Sequence, residues 1–291
     1  MTFSLDAEQI MTDEDFQLLR DCVYSHCGIY FDNDSKYLLE KRLARRVTAL
    51  NLSSFHDYYH YLKYNRKKDQ ELMDIMDILT TNETYFFREA FQLKAFTDEV
   101  IPELLQRKSS IGNRTLRIWS AGCSTGEEAY TIAMLLHDNL ELRNWKIEIV
   151  GTDISQRVLQ HARRAVYGKS AFRTTDDIYM QRFFIKQDDG LKVCDEIRDL
   201  VTISHLNLFD NNRMVMLGKM DLIFCRNVII YFDLAAKKRV IESFFNTLYG
   251  GGYLLLGHSE SLMNVTTQFT LRHFKNDMIY QKPESTGGVR I

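Results

Sequence analysis

The sequence predicts an α/β protein: a mostly parallel, doubly wound sheet carrying a small inserted β-subdomain and preceded by an all-α N-terminal domain. Three observations carry this reading. Up to about Thr80, helical periodicity is not interrupted by any strand pattern. From Leu116 onward, the short apolar runs Leu116–Ser120, Ile147–Val150, Leu200–Ser204, Leu222–Cys225 and Tyr253–Leu256 alternate with helical stretches, the signature of a parallel sheet covered on both faces. The length, 291 residues, suits two modest domains better than one small one.

The composition allows such a core. Hydrophobic residues make up 45% and charged residues 26%, and the two prolines are Pro102 and Pro283, so large-scale disorder is not expected. No apolar run is long enough to span a bilayer, and Met1 to Met11 carries acids where a secretory signal would be basic and then apolar. The five cysteines contain no C-x-x-C pair, which argues against a disulfide framework or a zinc knuckle. A cytoplasmic location without membrane insertion is therefore expected. The net charge of −2 hides a basic stretch from Lys36 to Lys68, which points to an anionic partner.

Taken in order, Thr12-Asp13-Glu14-Asp15 has the form of a capping box before Phe16, Leu18 and Leu19. From Lys36 to Leu50, the residues Leu39, Leu43, Val47 and Leu50 share one helical face, while Lys41, Arg42, Arg45 and Arg46 cover the neighbouring arc. Ser53 or Ser54 can cap a helix through Leu62, and another helix runs from Asp69 to Leu79. The polar cluster Thr80-Thr81-Asn82-Glu83-Thr84 follows. The expected organisation is a helical domain over residues 1–80, a linker over 81–90 that contributes to the active site, a catalytic domain over 91–283 with a β-subdomain inserted at about 167–199, and a flexible tail over 284–291. A helix near Phe91 to Arg107 opens the catalytic domain, and a hairpin of Phe269–Phe274 and Met278–Gln281 closes its sheet.

The chemistry gathers where strands end. Leu116–Ser120 runs into Ser120-Ala121-Gly122-Cys123-Ser124-Thr125-Gly126-Glu127-Glu128, where Gly122 and Gly126 allow a ligand or the following helix to approach the backbone. Neither G-x-G-x-x-G nor Gly-Lys-Ser/Thr is present, which argues against a cradled pyrophosphate or triphosphate. The second strand ends at Asp153, whose carboxylate can accept hydrogen bonds from ribose hydroxyls beside that turn. Asn207-Leu208 and Arg226-Asn227-Val228 bring further polar groups to the same edge, although turn residues often have no other role.

Four segments, Thr81-Asn82-Glu83-Thr84-Tyr85-Phe86-Phe87-Arg88-Glu89, the turn from Ser120 to Glu128, Phe224-Cys225-Arg226-Asn227-Val228-Ile229-Ile230-Tyr231-Phe232 and Gly257-His258-Ser259-Glu260, strongly resemble the chemotaxis receptor methyltransferases, the CheR family. The resemblance spans nearly the whole chain. It implies a class I S-adenosylmethionine-dependent (Rossmann-like) domain, methyl esterification of chemoreceptor glutamates and S-adenosylhomocysteine as product. It also implies Asn82, Thr84 and Arg88 around the methionine end of the cofactor, Glu128 and Asp153 near its polar groups, and Asn207-Leu208 with Asn227-Val228 completing the pocket. Arg88 and Tyr231 would lie nearest the transferred methyl and the incoming carboxylate. Arg42, Arg45 and Arg46 become candidates for docking the acidic methylation region of the receptor's cytoplasmic helical bundle.

The resemblance agrees with the chemistry of a carboxylate, which is ionised at neutral pH and needs no general base. Asn227 is not followed by the two prolines common in amine-directed methyltransferases, which weighs against nucleobase methylation and a nucleic-acid partner. The short Ile185–Leu191 segment favours an enzyme that does not tether a receptor C-terminal peptide. The alternatives are a methyltransferase with another acceptor and a cofactor-binding signalling scaffold without turnover. His56-x-x-x-His60 has the spacing of a helical metal pair but no third ligand follows, so no metal site is expected, and His258-Ser259 reads as structural support.

Overall fold

The computed structural model describes residues 10–284, so most of the predicted tail and of Met1–Met11 lies outside the described residues. The chain forms two compact units, Met1–Thr81 with Tyr231–Asp233, and Asn82–Ile230 with Leu234–Ile291.

In the first unit, α1 (Asp13–Cys27) starts at a complete capping box: Asp15 N donates to Thr12 Oγ1 at 3.1 Å and Thr12 N donates to Asp15 Oδ2 at 3.2 Å. Gly28, at φ 77°, ends it in the left-handed conformation that glycine adopts without a Cβ penalty. Helix α2 (Lys36–Ala49) buries Leu39, Leu43 and Val47, the face read from its periodicity. Ser54 caps α3 (Phe55–Tyr64), and α4 (Lys68–Leu79) buries Ile75, Met76 and Leu79. Tyr231–Asp233 joins this unit through backbone pairing: Tyr30 N donates to Tyr231 O at 2.9 Å, and Ile29 bridges Phe232.

The second unit opens with α5 (Ala90–Ala95), a π-helical turn over Phe96–Val100 and α6 (Ile101–Ser110) in unbroken succession, where the sequence predicts one helix. The wider turn lies just before Pro102, which has no N–H to give the carbonyl four residues back. Then come β1 (Thr115–Ala121), α7 (Glu127–His137), β2 (Lys146–Asp153), α8 (Gln156–Arg164), β3 (Val166–Tyr167), α9 (Asp177–Phe183), β4 (Phe184–Gln187), β5 (Gly190–Val193), α10 (Asp195–Arg198) and β6 (Val201–His205). The chain continues through α11 (Asn211–Met216), β7 (Met220–Cys225), α12 (Leu234–Thr247), β8 (Leu248–Leu256), β9 (Thr270–His273) and β10 (Met278–Gln281).

The main sheet has the order β6-β2-β1-β7-β8-β10-β9, with β6 to β8 pairing in parallel and β10 running antiparallel to both of its neighbours, β8 and β9. The order reverses between β1 and β7, and in such sheets the crevice beyond the carboxyl ends of those strands receives the ligand. Every residue of β7 is buried, and Trp119 of β1 is fully buried with its Nε1 donating to Thr152 Oγ1 at 2.9 Å. Strand β8 begins five residues before its predicted start, because Gly250-Gly251-Gly252 accommodates a register shift against β7 instead of ending the strand. The insertion carries a separate antiparallel sheet of order β3-β5-β4. No helix among the described residues is long and apolar enough to cross a membrane.

Candidate active site

The turn after β1 is wound by three positive φ angles: Gly122 at 80°, Ser124 at 50° and Gly126 at 97°. Its amides are tied to the end of β2. Gly122 N and Cys123 N both donate to Thr152 O at 2.8 Å, and Ser124 N donates to Asp153 Oδ2 at 2.9 Å. The other oxygen of Asp153 accepts Ser155 N at 2.9 Å, so this buried carboxylate also fixes the start of α8. Gly126 is required by space as well as by φ, since a Cβ there would lie 3.0 Å from Ala162 Cβ and 3.1 Å from the Tyr167 hydroxyl.

The turn after β7 is held from farther away. Asn227, at φ 59°, donates its N–H to Glu260 Oε2 at 2.8 Å; Gly257 N donates to the same oxygen at 2.8 Å and Ile230 N to Oε1 at 3.2 Å. Burial pushes the Glu260 carboxyl above its ordinary range, and these backbone donors oppose that shift. Val228 Cγ2 occupies the space a Cβ on Gly122 would need, so the two turns are in contact. Asn227 Oδ1 is buried and accepts no hydrogen bond from the described residues.

Arg226 links these turns to the 82–89 linker. With its side chain 3% exposed, it donates Nη2 to the Arg88 carbonyl at 2.5 Å and Nε to Glu89 Oε2 at 3.2 Å, and its Nη1 lies 3.4 Å from Glu128 Oε2. Ser120 Oγ donates to the other Glu128 oxygen at 2.7 Å. Desolvation raises the Glu128 carboxyl, with Arg226 and Ser120 opposing. The neighbouring Glu127, buried, is pushed up to about 7 by burial, opposed by the Thr125 hydroxyl donating to it at 2.6 Å and by its own backbone amide.

The linker is seated by its aromatics. Phe86 is fully buried, stacks on Phe172 at 5.3 Å and meets Tyr167 and Phe184 edge-on. This fixes Asn82, whose carbonyl accepts Ser124 Oγ at 3.3 Å, and leaves Thr84 half-buried. The half-buried Arg88 donates Nη1 to the Glu83 carbonyl at 3.1 Å and lies 5.6 Å over the Tyr85 ring; among the described residues it forms no ion pair.

The structure thus brings Asn82, Arg88, Gly122, Glu128, Asp153, Asn227 and Val228 into one connected network. Asn207-Leu208 follows β6 beside it: Leu206 N donates to Asp153 O at 3.0 Å, Asn207 Oδ1 accepts Phe209 N at 2.9 Å, and Leu208 is buried. Tyr231 belongs to the helical unit. Sequence reasoning placed Arg226 at this edge without a role and did not single out Glu89. The only local signal for Arg226 is a cation directly after six buried strand positions, where water cannot solvate it.

The three docking candidates of α2 differ in what their guanidiniums already bind. Arg46 is paired with Glu71, donating Nε at 2.8 Å and Nη2 at 2.5 Å, and it also reaches Asp74 at 2.9 Å; Arg42 Nη1 donates to Leu79 O at 2.5 Å. These two guanidiniums hold α2 against α4. Arg45 is exposed and forms no ion pair among the described residues.

The residues fit a cationic, ribose-bearing cofactor. Two largely buried carboxylates, Glu89 and Glu128, share one cation in Arg226, the buried Asp153 is held by backbone amides at the neighbouring strand end, and Asn227 Oδ1 is a buried acceptor without a hydrogen bond among the described residues. With the sheet order, this defines a class I S-adenosylmethionine-dependent methyltransferase. The CheR methyltransferase SAM binding domain matches residues 82–278, and the CheR methyltransferase all-alpha domain matches residues 14–80. The chain belongs to the CheR methyltransferase family. It is 35% identical to chemotaxis protein methyltransferase 2 of Vibrio cholerae serotype O1, over 95% of each chain. It is also 35% identical to the chemotaxis protein methyltransferase of Borreliella burgdorferi, over 87% of this chain and 89% of that one, and 33% identical to that of Escherichia coli, over 90% and 89%.

Proposed function

We propose that this methyltransferase esterifies glutamate side chains on the cytoplasmic helical bundle of chemoreceptors, in the cytoplasm. Bound S-adenosylmethionine supplies an electrophilic methyl group on a sulfonium. Glu128, Asp153, Asn207-Leu208, Asn227-Val228, Asn82 and Thr84 bind and orient it, and Gly122, whose missing Cβ leaves room for Val228, lets the two turns close together to form its floor. The observation that carries the acceptor assignment is Arg88, a half-buried guanidinium with no ion-pair partner among the described residues. A glutamate carboxylate is ionised at neutral pH, so the protein's task is to align it and exclude water, not to abstract a proton. One N–H from Arg88 to a carboxylate oxygen orients the anion, while its bond to the Glu83 carbonyl limits how tightly it binds that oxygen. Tyr231 is carried as a second candidate catalytic residue.

Docking is assigned chiefly to Arg45, the exposed one of the three arginines, with the half-buried Arg42 and Arg46, already bonded to Leu79 O and Glu71, as lesser contributors. The two-residue turn Asp188-Asp189 between β4 and β5 is short, in keeping with an enzyme independent of a receptor tail peptide. The test is to incubate the chain with methyl-labelled donor and receptor cytoplasmic fragments and measure base-labile methyl ester. Ester on glutamate is expected, and its absence from every receptor tested would overturn the reading. Arg45→Glu should slow methylation several-fold at low salt while cofactor affinity stays within twofold; equal rates for variant and parent would remove Arg45 from docking.

A further inference from the structure

We propose that His56 and His60 form a surface site for a divalent transition-metal ion on α3. The two residues are one turn apart on the exposed face of the helix, and their Nε2 atoms are 3.2 Å apart, facing each other. Two imidazole nitrogens bound at about 2.0–2.1 Å to one ion are separated by about 2.9 Å at a right angle and about 3.3 Å at the tetrahedral angle. The observed separation lies between these limits.

Both rings are held in place before any ion arrives. Asp15 of α1, its side chain 9% exposed, uses Oδ2 in the capping box with Thr12 and directs Oδ1 at His56 Nδ1, 3.4 Å away. With its Nδ1 proton turned to that carboxylate, His56 would present a bare Nε2 to a metal, the arrangement in which an outer carboxylate orients a ligating histidine. His60 stacks on Tyr64 at 5.7 Å and packs edge-on to Tyr59 at 5.7 Å, which limits rotation of its ring. Without an ion, the two facing nitrogens lie within hydrogen-bond distance of each other. With one, both lone pairs are used and water completes the coordination shell. An imidazole pair favours Cu²⁺ over Ni²⁺ and Zn²⁺, and excludes Ca²⁺ and Mg²⁺, which take oxygen ligands.

The site lies within the helical unit and does not depend on the methyl-transfer reading. The experiment is calorimetric titration of the untagged full chain with Zn²⁺ and Ni²⁺, together with electron paramagnetic resonance of the Cu²⁺ form. One equivalent with a micromolar Kd is expected, with nitrogen hyperfine structure from two imidazoles. Single variants His56→Asn and His60→Asn should each weaken Kd at least tenfold without altering the circular dichroism of the chain, and Asp15→Asn should weaken it about tenfold by loosening the His56 ring. Absence of binding up to millimolar metal, or unchanged binding in the double variant His56→Asn/His60→Asn, would overturn the proposal.

Discussion

The turns after β1 and β7 touch at Gly122 and Val228, yet they are stabilised in opposite ways. The first is closed by groups from the adjacent strand: Thr152 O and Asp153 satisfy its amides, and glycines supply two of its three left-handed φ angles. The second contains no glycine and borrows its support. Glu260, 33 residues later, binds its backbone, and Arg226 is held by Glu89, 137 residues earlier. The first turn therefore spends its amide donors within the protein, whereas the second keeps the acceptor Asn227 Oδ1 buried and without a hydrogen bond among the described residues. A turn that satisfies itself serves as a floor; one held from outside can spend its own side chain on a ligand.

The sharpest way to break this contrast is to remove the remote support. Arg226→Met leaves Glu89 and Glu128 buried without their shared cation, and removing one partner from a buried pair costs about 3–5 kcal/mol. Urea denaturation should show a loss of this size, smaller in Arg226→Lys, which keeps the charge. A loss below about 1 kcal/mol would mean that the turn after β7 holds itself.

The first turn has a cost of its own, visible in its pH dependence. Burial raises Glu127 to about 7 from an ordinary value near 4.5, so the folded chain binds this proton more tightly than the unfolded chain. The associated stability is fully present below about pH 4.5 and is lost as pH rises through about 7. Complete loss corresponds to roughly 3 kcal/mol, at about 1.4 kcal/mol per pKa unit. Glu127→Gln should flatten the fall in stability between pH 5 and pH 8, measured by denaturation at fixed ionic strength. A slope identical to that of the parent would place the titration elsewhere.

The contact between the turns is tested next. Gly122→Ala places a Cβ at φ 80° and against Val228 Cγ2, costing about 2 kcal/mol in backbone strain and overlap. Adding Val228→Ala removes the overlap but not the strain. Thermal unfolding of the double variant should therefore recover part of the loss; no recovery would show that the two turns are energetically independent.

Much of this was legible in the sequence, for a reason these variants also expose. Glycines at 122 and 126, the acid at 153 and the alternation of strands and helices are local signals, set by chain conformation and hydrophobic periodicity. The Arg226–Glu89 pair and the Glu260 anchor depend on distant residues arriving at one place, and no spacing rule announces them. The same limit explains the arginines of α2. Periodicity correctly places Arg42, Arg45 and Arg46 beside the apolar face, but Arg46 is neutralised by Glu71, 25 residues on, which only the packing of α4 reveals. Likewise Tyr231, four residues past Asn227 in sequence, groups with the helical unit through strand-like pairing of its neighbour Phe232 with Ile29.

The smallest expected effect isolates the unused acceptor. Substituting Asn227 by alanine would mix two losses, since asparagine adopts φ 59° at lower cost than alanine. Asn227→Gly keeps the backbone conformation and removes only the side chain, and Gly257 with Glu260 still anchors the amide at this position. Stability should then stay within about 0.5 kcal/mol of the parent. Cofactor affinity should fall about five- to tenfold, the net worth of one hydrogen bond from a ligand to a buried acceptor. Calorimetric titration with S-adenosylhomocysteine reads this directly without turnover. If affinity is retained while stability falls, Asn227 Oδ1 belongs to the architecture of the turn, and the division of labour between the two turns does not hold.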